Sequence, residues 1–250
     1  MRLVKRTLLI DISNSFTKAA VAVGPRIGRV HRISTSDLKP SALRTLAGKT
    51  KPDSVFLSSV VPTKNSAVLA AFPNTVVLGP HLDLGVGIDY PNPESIGADR
   101  LANAAACAAL YGTPAIVVDF GTAVTFDVLS AKGSYIGGVI APGLNAMTNY
   151  LHEKTALLPL VKLKEPKSAV GRSTIDAMLA GAVHGYRGLI REILSQITAE
   201  AFRKKKPVVV ATGGDAKLIA GKLAIFDQVD PLLTLRGLLI IADKNTPASF

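Results

Sequence analysis

The sequence is short of several things at once, and each shortage excludes a class of protein. It holds one cysteine in 250 residues, no tryptophan and only 5% aromatic residues. A lone Cys107 excludes an intrachain disulfide framework and a zinc site built from several thiolates. Set in the run ANAAACAAL, it reads as a small buried packing residue rather than a nucleophile. The four histidines, His31, His81, His152 and His184, show no metal spacing such as HxxxH. No apolar run approaches the ~18 residues of a membrane span. The basic, apolar start MRLVKRTLLIDIS is broken by Asp11 too early for a secretory signal. A soluble, cytoplasmic protein with no membrane partner is expected. Neither GxxxxGK[ST] nor GxGxxG occurs, so any nucleotide site has another construction.

What is present is aliphatic. Hydrophobic residues make up 48% of the chain, so the core is built from Ala, Val, Leu and Ile, as suits helices packed on sheets. The net charge of +11 favours anionic partners. The dense cluster Arg203-Lys204-Lys205-Lys206 lies between a helix-like segment and a strand and reads as a solvated loop. Aromatics are too sparse for a base-stacking platform, which argues against nucleic acid as the partner.

The chain also repeats itself. LLIDISNSFTKAAVAV (Leu8 to Val23) and AIVVDFGTAVTFDVL (Ala115 to Leu129) align at an offset of 108 residues, Asp11 on Asp119, Ser13 on Gly121 and Thr17 on Thr125. Both read as an apolar strand ending on Asp, a small polar turn and a second alternating strand. An aspartate at the end of such a strand is costly to leave unpaired, and a cation is one natural partner. The turn that follows offers N–H groups and hydroxyls to phosphate oxygens. The expected architecture is α/β: two duplicated domains, residues 1–113 and 114–250, each a mixed twisted sheet flanked by helices, with a cleft between them that both aspartates face. Helices are expected over 40–49, 63–72, 97–110, 174–201, 214–222 and 232–243. VVVATGGDAKLIA (Val208 to Ala220) adds a strand ending in Thr-Gly-Gly before a helix, where Gly213 and Gly214 let a flat or charged ligand approach the backbone.

These hairpins, with the Thr-Gly-Gly turn, resemble the acetate/sugar kinase, heat-shock ATPase and actin superfamily, whose domains are ribonuclease H-like. Further blocks narrow the likeness to type III pantothenate kinases: Ser58-Ser59-Val60-Val61-Pro62, Gly97-Ala98-Asp99-Arg100, Asp119 through Asp127, Gly137-Gly138, Ala141-Pro142-Gly143, Thr155 through Pro159, Ser173-Thr174 and Thr212-Gly213-Gly214. The resemblance implies phosphorylation of the primary hydroxyl of pantothenate by ATP, the first step towards coenzyme A, by a homodimer. Mg²⁺ would accompany ATP, and a monovalent cation, K⁺ or NH₄⁺, would be needed. It implies that Asp11, Ile12, Ser13, Asn14, Ser15, Phe16, Thr17 and Lys18 form the ATP-phosphate hairpin and that Thr122 touches ATP. Asp119 would be the ligand of the monovalent cation. Tyr90, Gly97, Ala98, Asp99, Arg100 and Thr174 would hold pantothenate, with Asp99 as the base. An aspartate in a first helical turn is otherwise common as a dipole partner. The small residues around His184, in GAVHGYRGLIREIL, suggest a dimer contact.

One turn departs from the family pattern. Where the family reads Asp-x-Gly-Asn-Thr, this chain reads Asp11-Ile12-Ser13-Asn14-Ser15. If that position needs a positive φ, serine is strained there by about 1 kcal/mol or more. If it needs only room, Ser13 either crowds the phosphates or adds a hydrogen bond. The residues leave two other readings open: a related alcohol kinase, and a degenerate regulator resembling the Bvg accessory factor proteins.

Overall fold

The computed structural model describes residues 5–48, 51–203 and 205–246. Lys49, the expected end of the first helix, and Lys204 of the basic cluster lie outside the described residues. The chain divides into two compact units. One runs to Tyr111 and takes in the segment from Leu232 onward; the other is Gly112–Pro231.

The first unit holds β1 (Arg6–Ile12), β2 (Phe16–Val23), β3 (Arg26–Ile27), β4 (His31–Ser34), β5 (Ser54–Ser59), β6 (Thr75–Val77) and the two-residue β7 (Gly87–Ile88). The sheet order is β3-β2-β1-β5-β6, with β4 also on β2. β1 is antiparallel to β2 and parallel to β5. Its sequence RTLLIDI is apolar almost throughout because both faces of the sheet are covered. Leu8, Ile10 and Ile12 pack with Leu43, Ala47 and Val68 from α1 (Pro40–Ala47) and α2 (Asn65–Ala71). Each such buried Leu, Ile or Val side chain contributes roughly 1.5–3 kcal/mol. Leu9 and Asp11 alternate onto the other face of the strand.

The last helix of the chain, α7 (Leu233–Asn245), packs on β1, β5 and α3 (Ala98–Tyr111). The sequence-based division at 113/114 placed it with the second half; it lies in the first unit. Small residues are the cause. Gly237 sits so close to the Ala102 carbonyl that a Cβ would collide with it, and Thr234 Oγ1 donates to Asn103 Oδ1 at 2.9 Å. Cys107 is fully buried in the same small-residue helix.

The second unit repeats the plan. β8 (Ala115–Phe120), β9 (Ala123–Leu129), β10 (Ser134–Pro142), β11 (Val208–Gly213) and β12 (Gln228–Val229) run in the order β12-β11-β8-β9-β10. β8 is antiparallel to β9 and parallel to β11, as β1 is to β2 and β5. Asp11 and Asp119 are each the penultimate residue of the first strand, and each has a hydroxyl residue as its parallel neighbour, Ser58 and Thr212. The expected duplicated α/β architecture is present, two mixed sheets each flanked by helices. The long α5 (Thr174–Ala201) lays Val183, Tyr186, Ile190 and Leu194 on Ile116, Val118 and Phe126. α4 (Leu144–Lys154) was not expected from the sequence, and α6 (Ala216–Ala220) is shorter than expected. Among the described residues no helix is long and apolar enough to cross a membrane.

Candidate active site

In the first unit the candidate residues gather at the ends of β1 and β5. Asp11 is buried, and Ser58 Oγ donates to its Oδ1 at 3.1 Å. The turn that follows is closed by the Ser13 N–H donating to the Phe16 carbonyl at 3.2 Å. Asn14 and Ser15 are exposed and Ser13 is half-buried. No non-glycine residue among those described has a positive φ, so Ser13 is not strained. Gly121, its counterpart in the second hairpin, is not at positive φ either, and a Cβ there would meet only ordinary contacts, the nearest at 3.4 Å. The backbone conformation demands glycine at neither position. Thr17 is fully buried, with its hydroxyl 3.1 Å from that of Thr35. Its side chain therefore belongs to the support of the turn rather than to its open face. Lys18 stands opposite Asp11 in the β1–β2 register. The guanidinium of Arg32, on β4, lies 3.5 Å from the centroid of the Phe16 ring.

The Gly97–Arg100 turn meets the same end of the sheet. The Val60 N–H donates to the Ile12 carbonyl at 3.0 Å, which pins the end of β5 to that of β1. A Cβ on Gly97 would lie 3.5 Å from Val60 Cγ1 and 2.7 Å from Asp99 Oδ1. A side chain at 97 would crowd the Asp99 carboxylate, which folds back at the helix start. The Arg100 N–H donates to Asp99 Oδ1 at 2.8 Å and holds that orientation. The segment Ser58-Ser59-Val60 thus runs between the hairpin and the Asp99 turn: Ser58 reaches Asp11, Val60 bonds to Ile12, and the Val60 side chain lies beside Gly97. Tyr90 lies in the exposed loop that precedes this turn.

In the second unit three turns converge. Asp119 pairs with Thr212 in register, and Gly213 follows at φ +95°. A Cβ on Gly213 would come within 2.5 Å of Asp119 Oδ1 and of the Phe120 backbone. The Asp215 N–H donates to the Phe120 carbonyl at 3.3 Å. Gly143 has no room for a Cβ against the Gly121 and Thr122 carbonyls, and its N–H donates to the Thr122 carbonyl at 3.1 Å. Asn145 Nδ2 donates to Asp215 Oδ2 at 3.3 Å. Burial, aided by the charge of Asp215, holds the Tyr186 hydroxyl well above its ordinary pKa of 10, so it stays protonated. It donates to the Pro142 carbonyl at 3.1 Å. The Asp119–Thr122 turn and the Thr-Gly-Gly turn, separate motifs in the sequence, are therefore neighbours. Sequence reading missed Asn145 and Asp215, since an isolated amide and an acid after Gly-Gly carry no pattern.

Thr174 is the exposed first residue of α5. The cap is made one residue earlier, where Ser173 Oγ accepts from the Asp176 N–H at 3.1 Å. The ordinary helix-capping role is thus filled by Ser173.

The described residues contain no group of three or more His, Cys, Asp or Glu that could hold a metal alone. Mg²⁺ that arrives with a nucleotide keeps several waters and takes one or two carboxylates plus phosphate oxygens. Asp11, near the end of β1, is a carboxylate close to the turn of the first hairpin.

The family model described as type III pantothenate kinase matches residues 7–196. A type III pantothenate kinase of Methylacidiphilum infernorum is 44% identical over 237 residues, which is 94% of this chain and 88% of the relative. One from Akkermansia muciniphila is 46% identical over 244 residues, 95% of this chain and 98% of the relative. Among solved structures, a protein described as a Baf family transcriptional activator from Campylobacter jejuni is similar at TM-score 0.64 and 22% identity, covering 95% of this chain and 98% of that one. MreB5 of Spiroplasma citri bound to AMPPNP is similar at TM-score 0.50 and 13% identity, covering 93% of this chain and 94% of that one. These structural likenesses show the fold alone, which is that of actin-like ATPases and sugar kinases. Sequence identity over nearly the full length decides the rest: the chain belongs to the type III pantothenate kinase family.

Proposed function

We infer that Asp99 is the base for the reaction that family membership assigns to this chain, the ATP-dependent phosphorylation of pantothenate in coenzyme A biosynthesis. The observation that carries this role is the Gly97–Arg100 turn. Its Asp99 carboxylate is held by the Arg100 N–H at the start of α3, and Val60, bonded to Ile12 at the end of the Asp11 strand, lies beside that start. Phosphoryl transfer asks little covalent chemistry of the protein; positioning and charge neutralisation do most of the work. Asp99 orients the primary hydroxyl of pantothenate for in-line attack on the γ-phosphorus and accepts its proton as the new P–O bond forms. The bond to the β-phosphate oxygen breaks and ADP leaves. Tyr90, Gly97, Ala98, Arg100 and Thr174 hold pantothenate. Thr174 is available for this because Ser173 has taken the cap.

The hairpin Asp11–Lys18 takes the ATP phosphates through its exposed turn, with Lys18 as the cationic partner. In the second unit Thr122, exposed at its own turn, contacts ATP. Mg²⁺ bound with ATP spreads the negative charge of the transferring phosphoryl group. Asp119 holds K⁺ or NH₄⁺. The protein acts in the cytoplasm as a homodimer. Support for the dimer is a stripe of exposed small residues on α5, Gly181, Gly185 and Gly188 with His184. Nearby, Tyr150 and Met147 on α4 are exposed apolar side chains.

A coupled ADP-release assay with ATP, Mg²⁺, K⁺ and pantothenate tests the reading. Turnover that collapses in Asp99→Asn while ATP still binds supports the base. Equal turnover in the two proteins removes Asp99 from that role. Light scattering in solution tests the dimer.

A further inference from the structure

We propose that Thr35, which lies outside every block that carries the family likeness, is a positioning residue for the phosphate turn. It rests on the reading of Asp11–Lys18 as the ATP-phosphate hairpin. Thr35 follows β4 in a single 3₁₀ turn and is 2% exposed. From there it grips the turn in three ways. Its N–H donates to the Ser15 carbonyl at 3.1 Å. Its hydroxyl donates to the Ser13 carbonyl at 2.7 Å, and the same oxygen lies 3.1 Å from Thr17 Oγ1.

A hydroxyl has one hydrogen to give. That of Thr35 goes to the Ser13 carbonyl, so Thr17 must donate to Thr35. The result is a directed, buried relay, Thr17 to Thr35 to the Ser13 carbonyl. Because the trans peptide is planar, its N–H points opposite its C=O. Holding the Ser13 carbonyl inward therefore turns the Asn14 N–H outward, on the exposed side of the turn where a phosphate oxygen would be received.

The turn Ser13-Asn14-Ser15 has no glycine, and none of its residues has a positive φ. Besides the turn's own bond from the Ser13 N–H to the Phe16 carbonyl, what holds the peptide is the bond from a residue 22 positions further on. Thr35 thus acts on ATP through the backbone of the turn and does not itself touch the nucleotide.

The test compares ATP dissociation constants, measured by titration calorimetry without pantothenate, for the wild type, Thr35→Val, Thr35→Ser and Asp11→Asn. Thr35→Val keeps the branched shape and loses the hydroxyl; it is expected to weaken ATP binding about tenfold, the equivalent of one hydrogen bond. Its KM for pantothenate should stay within about twofold of wild type. Thr35→Ser, which keeps the hydroxyl, should bind ATP within about twofold of wild type. If the single valine variant is too unstable to assay, the Thr17→Val/Thr35→Val double variant strands no buried hydroxyl. It should recover Tm while still binding ATP weakly. A lowered Tm with ATP affinity unchanged in the valine variants would overturn the proposal and leave Thr35 a core residue only. If Asp11→Asn also leaves ATP affinity unchanged, the hairpin reading fails. If Asp11→Asn weakens binding and the valine variants do not, only the role of Thr35 falls.

Discussion

Ser58 Oγ donates to Asp11 Oδ1 at 3.1 Å across the parallel pairing of β5 with β1, and both side chains are buried. A carboxylate in that position is expensive unless its oxygens are satisfied. The hydroxyl both offsets that cost and restricts how the carboxylate can rotate. The register places Thr212 against Asp119 in the same relation, so each half of the duplication puts a hydroxyl residue beside its strand-end aspartate.

Ser58→Ala should therefore cost about 1–3 kcal/mol, because it strips a donor from a buried acceptor. Thermal melting should show this as a fall in Tm of roughly 2–4 °C per kcal/mol. Ser58→Thr retains the hydroxyl and should lose less. If alanine and threonine variants melt alike, the hydrogen bond is not the stabilising element.

The hairpins and their aspartates are legible in the sequence because their information is local. An apolar run covered on both faces, a polar turn and an alternating partner strand all fall within 16 residues, Leu8 to Val23. What holds those turns is not local. Thr35 acts across 22 positions and Ser58 across 47. The place of α7 depends on Gly237 meeting Ala102, a contact that no periodicity records. α4 was missed because it leaves Met147, Tyr150 and Leu151 exposed and so lacks a clean apolar stripe. The glycines divide in the same way. Gly121 sits in a motif yet has space for a Cβ, whereas Gly213 and Gly143 do not, and only the neighbouring backbone shows which is which.

Ser13 gives a prediction that the backbone has simplified. It is not at positive φ, so replacing it with glycine relieves no strain. The change acts only by removing a half-buried side chain beside the phosphate turn. Ser13→Gly should preserve turnover and lower the KM for ATP, at a stability cost of about 0.4–1 kcal/mol from the freer unfolded chain. Steady-state kinetics with ATP varied, alongside a melting curve, measures both. A sharp loss of turnover would mean that the Ser13 hydroxyl itself serves the phosphates.

Gly213 and Gly121 make a matched pair for testing the second site. Gly213→Ala forces a side chain into φ +95° and within 2.5 Å of Asp119 Oδ1. The left-handed conformation alone costs about 1–2 kcal/mol. The variant should melt several degrees lower and lose the activation by K⁺ that Asp119 is proposed to mediate. Gly121→Ala meets only ordinary contacts and should shift Tm far less. Rates with and without K⁺ separate the effects. Full K⁺ activation in Gly213→Ala would remove Asp119 from cation binding.

Glu165 makes stability depend on pH in a stated direction. Arg187, buried in α5, donates from Nη1 to Glu165 Oε1 at 3.0 Å and from Nη2 to Oε2 at 2.6 Å. Its Nη2 also donates to the Leu218 carbonyl at 2.8 Å, so one guanidinium fastens the stretch before α5 to the region of α6. The hydrogen bonds from Arg187 hold the Glu165 carboxyl below its ordinary value of 4.5; desolvation opposes this, and the charges of Arg187, Lys222 and His184 assist it. A carboxyl with a depressed folded-state pKa contributes stability that is present above the unfolded value and lost as pH falls through the folded one. The contribution should therefore be constant near neutrality and disappear only below about pH 4.5, where the unfolded chain begins to take up the proton first. Glu165→Gln cannot ionise, so the Tm difference between wild type and this variant should be widest near pH 7 and shrink as acid is added. The solvent exposure of Glu165 keeps the whole effect modest, since water and salt screen the pair. A difference that does not change across the titration would show that the packing of residue 165, and not its charge, anchors this stretch to Arg187.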